Sequence, residues 1–306
     1  MKRFNLNILL ILFILTIDVP GIMDASEKRF SLVIRGGVGS IGIGDMNTSI
    51  TSYDGYYNWL RELYPERNVG GLLEVPGRFK DWETEVQWTA WKGLSVGIAL
   101  SGPVHLYESS SDSYVYSNVN QSLYVKSGIQ IAAPIRLDLH YAFPINHEIS
   151  FIVNGGIGLY HASMKENNNW LARTMGDTVI VGNYEYNVAG HTTGYHCGFA
   201  LEYKFNDRFS MIAEGQWRFA KIKSLRGTGT GVNNEYENEW YLVSSESTNE
   251  EGYLYYFIYT GSSYPYCELE VLSDPSSIED QVTGLRKASL NLNGFAFRIG
   301  LKIGLF

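Results

Sequence analysis

Alternation of apolar and polar residues is the dominant pattern in this chain. In the stretch SLYVKSGIQIAAPIRLDLHYAF, residues 122–143, the odd positions are almost all apolar and the even positions carry every charge. Successive side chains of a β-strand point to opposite faces, so this stretch predicts one strand with an apolar face and an ionic face. It is far longer than the usual ~5–6 residues of a strand.

The same period of two recurs along the chain and predicts eight strands in all. They cover residues 29–44, 81–91, 94–106, 122–143, 149–163, 194–205, 209–222 and 293–306. Short turns join three of the pairs, at WKG, PINHE and NDR, whereas the links over 45–80, 107–122, 163–190 and 223–288 are long. Short turns on one side and long loops on the other are typical of transmembrane barrels.

The predicted fold class is therefore all-β: an eight-stranded antiparallel up-and-down transmembrane β-barrel with long outer loops. One short helix is expected in the first loop, because Ile50, Tyr53, Tyr57, Leu60 and Tyr64 recur at intervals of three and four. This helix would either pack over the barrel mouth against other loops or lie on the lipid surface.

Composition narrows the function classes. The chain of 306 residues has 24 basic and 32 acidic residues, without the basic surface that nucleic-acid binding requires. Cys197 and Cys267 lack the spacing of a metal or redox motif, which leaves two separate thiols or one long-range disulfide. No cofactor and no metal site is predicted.

The N-terminus predicts export. Two basic residues precede the apolar run LNILLILFILTI, which is shorter than the ~20 residues of a spanning helix, and Ala25 offers a cleavage edge. We therefore expect a signal peptide over residues 1–25 and a barrel domain over 26–306.

Twelve charged residues share the polar parity and would face the barrel interior. Seven are basic and five acidic, so ion pairs are expected to close the lumen, because buried charge is tolerated only when it is paired. The predicted lumen network consists of Arg35, Glu83, Glu85, Lys126, Arg136, Asp138, Glu202, Lys204, Glu214, Arg218, Arg298 and Lys302.

With these features the chain resembles the small outer-membrane barrels of the OmpA, OmpX and OmpW type over residues 29–306. The resemblance implies a bacterial outer-membrane location, with outer-membrane lipid and the barrel-assembly machinery as partners. It also implies that the C-terminal Phe306 acts as the assembly signal, although Phe306 shares the parity of Lys302 and not that of Leu305.

The function expected of such a barrel is structural or binding, through its surface loops, for an extracellular ligand that the sequence does not identify. Enzymatic activity is not predicted. One alternative is transport of small hydrophobic molecules through the barrel wall. Another is a lipid-face esterase using His161 and Ser163, with Asn187 or Glu185 as the third member.

Two further expectations concern the last strand. Leu290 and Leu292 are apolar at even positions and Phe295 to Leu305 at odd ones, which predicts a bulge or a strand break at 293–294. The last strand should also pair antiparallel with the first, because an open edge would leave backbone groups unpaired in hydrocarbon.

Overall fold

The computed structural model describes residues 30–63, 77–116, 119–132, 134–173, 178–237, 241–260 and 264–305. Their helices are α1 (Asp45–Leu63) and the 3-10 helix η1 (Pro275–Gln281). The strands are β1 (Phe30–Ile41), β2 (Arg78–Trp91), β3 (Leu94–Ser101), β4 (Val104–Tyr116), β5 (Val119–Ile131), β6 (Ile135–Pro144), β7 (Ile149–Arg173), β8 (Thr178–Lys204), β9 (Phe209–Phe219), β10 (Lys221–Ile222), β11 (Arg226–Glu237), β12 (Tyr241–Tyr259), β13 (Tyr266–Leu272), β14 (Val282–Lys287), β15 (Leu290–Asn291) and β16 (Gly294–Gly304).

Eight of these strands close into a ring. The order β1-β2-β3-β6-β7-β8-β9-β16 returns to β1, and every neighbouring pair is antiparallel. Ser31 pairs with Gly304 and Ile41 with Gly294, so the predicted pairing of first and last strands is confirmed. The predicted eight-stranded barrel with a helix after the first strand is confirmed as well.

The three predicted short turns lie together at one end of the ring. Gly93, with φ 78°, makes the tight turn from β2 to β3 that a residue with a Cβ would strain. In the other two turns an asparagine side chain accepts two backbone N–H groups. The oxygen of Asn146 accepts from Ile149 at 2.7 Å, and that of Asn206 accepts from Phe209 at 3.0 Å.

On β7 the two faces of one continuous strand exchange character. Up to Leu159 the outward side chains are apolar and partly or largely exposed, and the inward ones, apart from Ile152, are small or polar. Beyond it the inward residues Tyr160 and Met164 are buried and apolar, while the outward His161 and Lys165 are polar. Leu159 is 63% exposed and Tyr160 only 2%. The strand therefore leaves a lipid-facing zone at this level and enters one surrounded by water.

Beyond that level the structure corrects the prediction of long loops. Strand β5 pairs with the outer half of β7, and β4 pairs with β5. On the other side β11 pairs with the outer half of β8, and β12, β13 and β14 continue the sheet from β11. The resulting curved sheet, with α1, is called the outer domain below. Its interior is an apolar core that includes Met46, Ile50, Ile129, Met164 and Val188. Most of the sequence between 104 and 132, predicted as loop and membrane strand, belongs to it.

The predicted strand 122–143 is wrong as a single membrane strand, because it is two strands aligned end to end along β7. Ile131 pairs with Ala162 and Ile135 pairs with Leu159. The chain therefore advances four residues from β5 to β6 while β7 advances only three. The extra residue turns the odd positions inward in β5 and outward in β6. The odd positions thus supply core residues of the outer domain in β5 and lipid-facing residues of the barrel in β6.

The expected break before the last strand is present. Leu290 and Leu292 are buried in the outer-domain core, the residues 292–293 lie outside a strand, and β16 begins at Gly294. Phe295 and Phe297 are then exposed on the barrel exterior. The predicted signal peptide and Phe306 lie outside the described residues.

Helix α1 packs between the two edges of the curved outer sheet. It contacts β13 on one side and β4 on the other. Ser52 Oγ accepts the backbone N–H of Cys267 at 2.8 Å, and Ser49 Oγ donates to the carbonyl of the same residue at 3.1 Å. On the opposite side Arg61 pairs with Asp112 at 2.7 Å. The helix thereby pairs both backbone groups of Cys267 on the free edge of β13.

Candidate functional site

The barrel interior is organised around Glu83, which is fully buried. Its carboxylate contacts Arg35 at 2.6 Å, Arg298 at 2.5 Å, and Arg136. Ser101 donates a further hydrogen bond to it at 3.0 Å. Three guanidinium groups thus share one carboxylate, and neighbouring acidic side chains balance the remaining positive charge of these arginines.

Glu85 pairs with one arginine and one histidine, and so does Asp138, whereas Glu214 lies between two arginines. The distances are 2.6 Å for Arg35–Glu85, 2.6 Å for His140–Glu85, 3.1 Å for Arg136–Asp138, 2.6 Å for His196–Asp138, 3.5 Å for Arg35–Glu214 and 3.6 Å for Arg298–Glu214.

Seven of the twelve predicted lumen charges meet in this cluster: Arg35, Glu83, Glu85, Arg136, Asp138, Glu214 and Arg298. At the short-turn end Glu202 pairs with Lys302 at 3.3 Å. At the other end the Arg218 guanidinium lies over the rings of Phe79 and Tyr160 and donates to the carbonyl of Leu292.

Two of the twelve lie elsewhere. Lys126 is exposed on β5, outside the membrane ring, because the register change before β6 turns its parity to the outer surface. Lys204 is exposed where β8 ends, at the short-turn rim. The cluster also recruits Asp81, His140, His196 and Gln216, which were not among the twelve. Asp81 is two residues before Glu83 and shares its parity, so its inward position could have been predicted from the sequence.

Little open volume lies beside this cluster. Within the described interior, two cavities of about 10 and 20 Å³ lie beside Arg136 and Arg35, each close to the size of one water molecule. Toward the short turns a small apolar cluster of Val33, Ile152, Ala200 and Ile212 adds to the filling.

Ligand atoms of Glu85, Asp138 and His140 lie within 4.8 Å of one another, a grouping that could accept a metal ion. The same carboxylates already contact the guanidinium groups of Arg35 and Arg136. A divalent cation would have to displace these charges, so the grouping is better explained as part of the ion-pair cluster.

The residues of the esterase hypothesis do not form a triad. His161 and Ser163 point outward just beyond the lipid-facing zone, where His161 is opposite His191 and Ser163 is opposite Ala189. Glu185 is engaged by Lys165 at 2.6 Å. In the described part of the chain, no hydrogen bond joins His161 to Ser163, and their positions do not favour nucleophilic catalysis.

A cleft of about 460 Å³ lies in the outer domain, between α1 and the curved sheet. The helix contributes Tyr53, Tyr56 and Tyr57, and β13 contributes Tyr266, Glu268 and Glu270. Strands β5, β7 and β8 complete the wall with Gln121, Ser122, Leu123, Asn168, Trp170, Leu171, Ala172 and Tyr184, and Leu269 of β13 is the remaining lining residue. Its volume is in the range of small-molecule sites.

Aromatic rings form one side of the cleft. The ring centroids of Tyr53 and Tyr266 are 5.3 Å apart, and those of Tyr56 and Tyr266 are 5.6 Å apart. Trp59 and Tyr264 extend this cluster behind Tyr56. Tyr53 donates its hydroxyl to Glu268 at 2.8 Å, which holds the carboxylate against the rings.

The two cleft carboxylates are destabilised in their charged form. Burial raises the pKa of Glu268, with the Tyr53 hydrogen bond opposing the change. Burial, followed by the negative charges of Glu268 and Glu250, raises the pKa of Glu270 to about 7. Near neutral pH burial therefore disfavours the charged form of both carboxylates, and a cation placed beside them would favour it.

The exterior of the ring carries a continuous apolar surface. Leu137, Val153, Phe199 and Phe297 are each at least 45% exposed, on four different strands. An apolar band on a closed ring of strands is the surface that a bilayer covers. The fold is that of a small outer-membrane β-barrel. No helix in the described ranges is long and apolar enough to cross a membrane.

Comparison with known proteins adds little beyond this. No family model matches the sequence, and no curated protein does. Three solved structures are similar to the chain: OprG of Pseudomonas aeruginosa (8% identity, 92% of this chain and 98% of that one, TM-score 0.32), a major outer-membrane protein of Thermus thermophilus (9%, 90% and 98%, 0.31), and the outer-membrane protease OmpT of Escherichia coli (8%, 94% and 100%, 0.33). At these TM-scores the likeness carries no argument, and the fold assignment rests on the hydrogen-bonded ring itself.

Proposed function

We propose that this protein is a bacterial outer-membrane binding protein in which a closed barrel anchors a folded outer domain. The observation that carries the proposal is the contrast between the two parts. The bore is filled by paired charges and leaves cavities of about 10 and 20 Å³ beside them, whereas the outer domain holds a cleft of about 460 Å³.

Binding is favoured over transport for the same reason. Passage through the barrel wall would need a gap between strands, whereas every neighbouring pair in the ring is hydrogen-bonded. Passage along the bore would need a route past Glu83 and its three arginines, and removing one partner of such a cluster leaves uncompensated buried charge. Catalysis is not proposed, because among the described lining residues no serine, threonine or cysteine donates a hydrogen bond to a histidine or a carboxylate.

Single-channel recording in planar bilayers tests the proposal. The purified, refolded protein should insert without stable conductance steps over a wide range of voltage. A Glu83→Ala variant, which removes the centre of the cluster, serves as the comparison for a loosened bore. Stable open-pore currents from the unmodified protein would overturn the closed-anchor assignment.

A further inference from the structure

The cleft of the outer domain differs from the barrel interior in its charge. In the bore each central carboxylate contacts a guanidinium group. The described residues that line the cleft include Glu268 and Glu270 but no lysine, arginine or histidine. A pair of partly buried carboxylates without a cation in the same wall is costly, because a desolvated charge needs a partner.

The aromatic wall restricts what that partner can be. Tyr53, Tyr56 and Tyr266 present ring surfaces around the carboxylate of Glu268. The face of an aromatic ring attracts cations, and organic ammonium groups in particular bind where several rings meet. Rings and carboxylates together thus provide both the dispersion contacts and the charge that an organic cation requires.

The volume of the cleft and the negative charge of its carboxylates argue against other ligand classes. A bare metal ion needs several oxygen or nitrogen ligands at about 2–2.6 Å. Among the described residues, the histidine, cysteine and acidic side chains of the cleft do not form a group of three such ligands. An anionic ligand would be repelled by both carboxylates. A neutral ligand would remove water from Glu268 and Glu270 without replacing it by charge.

We propose that this cleft binds a small organic cation, such as a primary or quaternary amine, between the carboxylates of Glu268 and Glu270 and the rings of Tyr53, Tyr56 and Tyr266. The inference rests on the proposed binding function and specifies its ligand class.

Calorimetric titration of the full-length protein in detergent micelles tests it, with choline and benzylamine as probes. The neutral 3,3-dimethylbutan-1-ol has the shape of choline without its charge and serves as the matched ligand. Choline should bind saturably, and the neutral alcohol at least about tenfold more weakly, since the alcohol cannot form an ion pair with the carboxylates.

Variants separate the charge from the rings. Glu268→Gln should weaken choline binding about tenfold or more, whereas Glu246→Gln, which removes an exposed charge on β12, should leave it unchanged. Tyr266→Phe should retain binding and Tyr266→Leu should lose it severalfold. Heat-modifiable migration of each variant establishes that it is folded.

Two results would overturn the cation assignment. One is equal binding of choline and the neutral alcohol, lost in Tyr266→Leu and retained in Glu268→Gln, which would leave a binding protein for neutral ligands. The other is the absence of saturable binding of either amine by folded protein up to about 10 mM. Neither result resembles the open-pore current that would refute the closed anchor.

Discussion

The exchange of faces along β7 gives a sharp prediction about where the bilayer lies. The outward, apolar part of the strand runs from Ile149 to Leu159, about ten residues. At ~3.3 Å per residue and a strand tilt of ~40°, this length spans ~25 Å, the height of the apolar band of an outer-membrane barrel. Val153 points outward, is 45% exposed, and lies close to the middle of that span.

Replacing Val153 by arginine therefore puts a charge near the bilayer midplane. The expected cost is about 2–4 kcal/mol in the free energy of unfolding, falling to about 0–1 kcal/mol near the interfaces. Ser163 offers a matched control, because it points outward on the same strand, four residues beyond Leu159. Ser163→Arg should change stability by no more than about 0.5 kcal/mol.

The measurement is a guanidinium titration of protein refolded into phospholipid vesicles, followed by tryptophan fluorescence. A shift of the midpoint without a change in slope reports the free-energy difference. Equal costs for the two arginines, or a larger cost at Ser163, would show that the boundary between lipid and water is not between them. The apolar surface of the ring could then not be explained by contact with the bilayer.

Two further predictions concern buried carboxylates. Burial raises the pKa of Glu166 in the outer domain to about 7, so the folded state binds a proton that the unfolded state releases near its ordinary value, and stability falls as the pH rises from about 4.5 to about 7. Glu166→Gln cannot titrate, so it lacks this pH-dependent loss of stability. Urea titrations should find it more stable than the parent by up to about 3 kcal/mol at pH 8 and nearly equal to it at pH 4. A difference independent of pH would contradict the assignment. In the bore, Glu83→Gln leaves three arginines short of a partner and should cost about 3–5 kcal/mol. Glu202→Gln affects the partly exposed Lys302 at 3.3 Å and the hydroxyl of Ser210 at 2.6 Å, so it should cost clearly less than Glu83→Gln when both are measured in phospholipid vesicles. The reverse order would refute the central role of Glu83.

The sequence alone was sufficient to predict the barrel. Alternation over 81–91 or 149–159 states that one face of a strand is apolar and the other polar, and short turns at 145–148 and 205–208 set the strand order. In the membrane the polar parity then points inward, as it does for Glu83 and Arg298. These features depend on neighbours in sequence or on strict parity, so they can be read from the chain.

Alternation does not state which medium its apolar face meets. The odd positions of β5 and β6 look alike, yet Ile129 is buried in a core and Leu137 is 49% exposed on the barrel exterior. The difference depends on one extra residue before β6 and on what lies across the sheet. For the same reason the sequence predicts a loop over 163–190, where the outer parts of β7 and β8 carry polar residues on their outward face.

The cleft could be recognised only from the tertiary structure. Its key hydrogen bond joins Tyr53 on α1 to Glu268 on β13, two residues far apart in sequence that no local pattern relates. The aromatic spacing of the helix predicted that Tyr53 and Tyr57 share a face, and the tertiary fold supplies the partner of that face. Curvature of the outer sheet brings its β4 and β13 edges to the same helix, and this closure creates a charged aromatic cleft from residues that separately look like ordinary surface.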